Sequence, residues 1–143
     1  MKMLVGNEFT DASDGGVLNV VNPATGQVID TVPAATREDV KRAVDTAAEG
    51  QKAWEAMTLR ERTKRLKRFA ELVMERRLEL GEMLAKESGK PYMAEAVWEA
   101  DSVAYVIEGS CEVAKHFYGK TMPFGTEPGY DHDIQFTIHE PLG

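Results

Sequence analysis

Between Thr36 and Gly119 the apolar residues recur every three or four positions, and two Thr-x-x-acid tetrads mark where that pattern starts. This is the helical period, so the middle of the chain must be built from helices with one apolar stripe each. Thr36 with Asp39, and Thr58 with Glu61, have capping-box spacing: the hydroxyl accepts from the amide three residues on, and the acid reaches back to the threonine amide. The first helix carries Val40, Ala43, Val44 and Ala47 on one face, continued by Trp54, with Gly50 weakening its middle. The second shows Leu66, Phe69, Ala70, Val73, Leu80 and Leu84 as its stripe. Arg60, Arg62, Lys64, Arg65, Lys67 and Arg68 read as its opposite face. Ser88-Gly89-Lys90-Pro91 stops it, glycine supplying a left-handed cap and proline blocking continuation. A third helix follows over residues 92–118, with Val97, Ala100, Ala104, Ile107, Cys111 and Ala114 on its stripe and Gly119 as its end. Small residues on such a stripe let another helix approach closely.

The flanks read differently. Residues 3–9, 17–21 and 28–32 are short β runs. Asp14-Gly15-Gly16 and Asn22-Pro23-Ala24-Thr25-Gly26 are turn signals, and the second joins its two runs into a hairpin. Beyond the helices, residues 120–124 and 133–139 read as two strands around a Pro128-Gly129 loop. Ile134, Phe136 and Ile138 alternate with Gln135, Thr137 and His139, the pattern of a half-buried strand. The expected class is α+β: an N-terminal hairpin region over 1–35, three helices over 36–119 and a C-terminal hairpin over 120–139. The chain stops soon after a strand, and an uncovered strand edge is expected to seek a partner.

Composition narrows the functional classes. With 17 Lys and Arg against 24 Asp and Glu, the net charge is −7, which repels phosphate backbones and opposes a nucleic-acid binder. The basic run 60–68 lacks interleaved aromatics, so a solvated or ion-paired face is expected, with the acidic third helix supplying partners. No apolar stretch approaches a bilayer span, and the start of the chain is not a signal peptide, which makes the cytoplasm the default location. The single cysteine, Cys111, lies on an apolar stripe and reads as a core thiol rather than a nucleophile. His116, His132 and His139 match no metal-site spacing. There is no glycine-rich phosphate loop and no zinc motif. Glu87-Ser88-Gly89-Lys90-Pro91 reads, on physics alone, as a helix stop with a flanking ion pair.

Six elements in order carry a resemblance. They are Asn22-Pro23-Ala24-Thr25-Gly26, Val32-Pro33-Ala34-Ala35-Thr36, Trp54, Glu87-Ser88-Gly89-Lys90-Pro91, Tyr118-Gly119-Lys120-Thr121-Met122-Pro123 and Glu140-Pro141-Leu142-Gly143. Nearly the whole chain resembles the N-terminal part of the NAD(P)-dependent aldehyde dehydrogenases, an incomplete portion of that α/β fold. The resemblance implies oxidation of an aldehyde to a carboxylic acid in the complete enzyme, by a cysteine thiolate with hydride transfer to NAD or NADP. It also implies that the catalytic cysteine, the glutamate base and the cofactor site follow the stretch matched here. The chain alone is therefore expected to have no catalytic residues, no cofactor and no activity. Its expected partner is the rest of the dehydrogenase or a partner subunit, in a homo-oligomer, and residues 120–139 resemble the oligomerisation arm. Many members bind a monovalent cation, and the matching positions are Glu87 and the backbone carbonyl of Val20 or Val21; oxygen donors suit such an ion. The other reading is a stand-alone remnant or split-enzyme subunit acting as a protein-binding module.

Overall fold

The computed structural model describes residues 1–123, 125 and 127–142. Two antiparallel hairpins come first: β1 (Met3–Val5) with β2 (Glu8–Thr10), and β3 (Val17–Val21) with β4 (Val28–Pro33). The stretch expected as one strand over 3–9 is thus two, because Gly6 takes φ 63° and turns the chain back. In the second hairpin Val17 pairs with Pro33 and Val20 with Asp30, and a bulge shifts the register between Val20 and Val21. Asn22 closes the connecting turn: its carbonyl accepts from the Gly26 amide at 2.8 Å and its side chain accepts from the Ala24 amide at 2.9 Å.

Four α-helices follow: α1 (Arg37–Glu55), α2 (Leu59–Glu75), α3 (Arg77–Ser88) and α4 (Val97–Ala114). Both capping boxes form as the tetrads predict. The expected count of three helices is corrected to four. The second helical stretch breaks at Arg76, where φ −108° and ψ 13° leave the helical region, and α3 restarts with the Leu80 amide on the Arg76 carbonyl. No glycine or proline stands there, so nothing local announces the break. α3 ends at Gly89 with φ 74°, and one π-helical turn, Tyr92–Ala96, leads into α4. The Glu95 and Ala96 amides both donate to the Pro91 carbonyl, at 3.1 and 3.0 Å. α4 stops at Ala114, short of the expected end at 118. Gly119 serves the next element instead: a Cβ there would collide with the Thr137 carbonyl.

The C-terminal hairpin is shorter than the alternation implied, with β5 (Thr121–Met122) against β6 (Gln135–Phe136). Phe124, part of the expected first strand, lies outside the described residues, as do Thr126 and Gly143.

The core lies between α2, α3 and α4. It is made of small side chains: Ala70 and Val73 from α2, and Val97, Ala100, Ala104 and Cys111 from α4, with Ala96 beside them. Gly81 on α3 abuts α4 so closely that a Cβ would sit 2.7 Å from Val97 Cγ2 and 3.0 Å from its Cα. The stripe of small residues therefore does what its spacing predicts, bringing helix axes together. Phe69, expected on the buried stripe, is half exposed at 52%. Among the described residues no helix is long and apolar enough to cross a membrane.

Candidate functional site

Two places bring together residues that the sequence singled out. The first joins the Asn22-Pro23 turn to the end of α3. A Cβ on Gly89 would lie 2.9 Å from Pro23 Cγ, so the two motifs pack against each other although far apart in sequence. Glycine is needed here twice over, for its positive φ and for this approach. Glu87 is exposed on the last turn of α3. The expected ion pair within its motif is absent among the described residues, because Lys90 Nζ goes to Glu99 Oε1 at 2.6 Å. Val20 and Val21 flank the bulge, where the ladder is disrupted. Among the described residues no three His, Cys, Asp or Glu side chains gather as metal ligands.

The second place is an open groove of about 1010 Å³ between α2, α4 and the C-terminal segment. Trp54, Leu59, Leu66, Val113 and Phe117 make its walls apolar, and His139 to Pro141 cross its rim. His139 stacks on Phe117 with ring centroids 4.2 Å apart, which holds that segment in place. Arg62 also lines the groove, and its Nε is buried with no hydrogen-bond acceptor among the described residues. This corrects the sequence reading that put Arg62 on the solvent face. Residues 59, 62, 63 and 66 share one helix face, so the three-and-four spacing contained the signal, overridden by the default that arginine faces water.

The rest of the basic run behaves as an ion-paired face. Lys67 Nζ meets Glu112 Oε1 across α2 and α4 at 3.1 Å, and Arg68 meets Glu71 and Glu75 at 2.9 and 3.1 Å. Hydrogen bonds from Lys115 and Lys67 hold the Glu112 carboxyl below its ordinary range. Cys111 is buried at 2% exposure on the core face of α4, in keeping with a packing role.

The dinucleotide implied by the resemblance can be tested against these residues. A pyrophosphate needs free backbone amides at a helix N-terminus or a glycine-rich cradle. Here the α1 and α2 N-termini are already filled by the protein's own carboxylates. Asp39 Oδ2 accepts from the Thr36 and Ser13 amides, both at 3.0 Å, and Glu61 Oε2 accepts from the Thr58 amide at 2.8 Å. The Ser13 and Thr36 amides, together with their hydroxyls, draw the Asp39 pKa down from 3.8 to about 2. Backbone and hydroxyl donation from Thr58 likewise lowers Glu61. These residues do not fit a dinucleotide.

Comparison with known proteins sets this arrangement in a family. The family model described as "Aldehyde dehydrogenase family" matches residues 9–143. Glutarate-semialdehyde dehydrogenase of Pseudomonas putida is 38% identical over 140 residues, covering 97% of this chain and 28% of that protein. The NADP-linked succinate-semialdehyde dehydrogenase of Escherichia coli is 34% identical, covering 98% of this chain and 28% of that protein. Among solved structures, the NADP-dependent glyceraldehyde-3-phosphate dehydrogenase of Bacillus halodurans, complexed with NADP, superposes with a TM-score of 0.92 at 28% identity, over 99% of this chain and 30% of that one. The chain thus spans little more than a quarter of the length of the relatives it matches.

Proposed function

The chain belongs to the aldehyde dehydrogenase family, and we propose that it is the N-terminal structural segment of an NAD(P)-dependent enzyme that oxidises an aldehyde to a carboxylic acid. Catalysis and cofactor binding belong to the remaining part of that fold. The observation that carries this reading is the bare outer face of α4. Trp98, Tyr105, Val106 and Val113 are all at least 65% exposed, whereas the inner face of the same helix is packed. So much contiguous apolar surface marks an interface. Relatives more than three times as long supply the matching partner.

Three roles follow for the residues present. The helices give the remaining domains a rigid surface to pack on. The C-terminal hairpin, with Ile134, Phe136 and Ile138 exposed, offers an edge for a partner subunit. Glu87 and a carbonyl of Val20 or Val21 would hold a monovalent cation; the contact of Gly89 with Pro23 and the unpaired Glu87 carboxylate among the described residues support that assignment.

The test is to fuse residues 1–143 to the part of the Pseudomonas putida relative that they do not cover. The fused polypeptide should reduce NAD or NADP with glutarate or succinate semialdehyde, the compounds in the relatives' names. The 143-residue chain alone should not. An inactive, unassembled fusion, or turnover by the chain alone that survives Cys111→Ala, would contradict the reading.

A further inference from the structure

Within that reading, we propose that the groove between α2 and α4 is the seat of an apolar segment of the remaining dehydrogenase polypeptide, and that a carboxylate on this segment pairs with Arg62. Three observations define the occupant. The walls are apolar and unfilled: Phe117 is 68% exposed and Val113 66%, so the occupant presents apolar side chains. Arg62 Nε is buried among them without an acceptor. A buried guanidinium N–H without an acceptor is destabilising, and a carboxylate is the acceptor that matches its planar fork in two parallel hydrogen bonds. The chain's own neighbouring carboxylates are engaged elsewhere: Glu61 on Thr58, and Glu112 on Lys67 and Lys115. Glu140 lines the same groove but is exposed and makes no hydrogen bond to Arg62 among the described residues. With only 28% of a relative's length covered, the missing segment has ample source.

The pairing predicts that one substitution acts oppositely in two contexts. In the isolated chain, Arg62→Met removes an unpartnered polar atom, so the denaturant midpoint holds or rises. In the fused enzyme it leaves a carboxylate buried and unpaired, and the rate of heat inactivation rises by about tenfold or more. Arg62→Lys in the fused enzyme restores part of the loss, since it keeps the charge and loses the fork. Glu140→Gln changes neither. An equal loss of stability with Arg62→Met in both contexts would overturn the pairing, because the arginine would then act within the chain. A Glu140→Gln variant that reproduces the loss would overturn it by naming a different carboxylate. A wild-type fusion that fails to assemble would instead bring down the family-segment reading on which the pairing rests, and circular dichroism of each variant separates misfolding from lost docking.

Discussion

One helix shows two kinds of surface. The inner face of α4 carries Val97, Ala100, Ala104 and Cys111, all buried, and packs on α2 and α3. Its outer face carries Trp98, Tyr105 and Val106, larger and more apolar, yet left to solvent. In a self-sufficient domain the large side chains would fill the core and the small ones would be dispersed, because burial scales with apolar area. Here the order is reversed. The inner face is specialised for close approach between helices, and the outer face holds most of the burial still available. The fold is thus a compact bundle with its strongest adhesive surface pointing outward, the condition of a segment that completes itself against something else.

Breaking the inner face should have the largest effect on the chain itself. Val97→Ala removes two methyl groups from a site only 5% exposed. It should lower stability by about 2 kcal/mol in urea unfolding. Gly81→Ala should cost about 1–2 kcal/mol: the new methyl meets Val97 Cγ2 and Cα, and the improved helix propensity offsets only part of that. Thr58→Ala, which opens the α2 capping box, should cost about 1 kcal/mol by the same measurement.

Acid acts through the same framework. The folded Asp39 carboxyl is depressed from 3.8 to about 2, so its contribution is complete above the ordinary value and is lost as pH falls towards 2. Glu61, Glu79 and Glu112 are lowered as well and contribute with the same sign. The urea midpoint should therefore fall on acidification across that window, and Asp39→Asn should start lower and flatten the fall. At the small end, Tyr105→Gln and Val106→Asn on the outer face should change the isolated chain by less than about 0.5 kcal/mol. In the fused enzyme they should impair assembly, which size-exclusion chromatography would register.

The inner face of α4 was readable from spacing alone, because small residues at three-and-four intervals have few other uses. The capped starts of α1 and α2 were readable for a local reason too: each box closes within four residues. The break at Arg76 was not, since its cause is packing of α3 against α4 rather than a breaker residue. The C-terminal strands looked longer in sequence because alternation at Ile134, Phe136 and Ile138 records what will cover them, and nothing in the chain does. The juxtaposition of the Asn22-Pro23 turn with Glu87 to Pro91 came from resemblance; no period links residues on a hairpin to the end of a distant helix. Arg62 was misplaced because a charged residue within a basic run is assigned to water by default.

The most direct measurement is hydroxyl-radical footprinting of Trp98, Tyr105 and Phe117 in the isolated chain and in the fused enzyme. These side chains, exposed at 65%, 65% and 68%, should be oxidised readily in the isolated chain and strongly protected in the fused enzyme. Equal labelling in both would mean that the outer face of α4 stays bare in an assembled dehydrogenase, and would contradict its role as the surface that completes the fold.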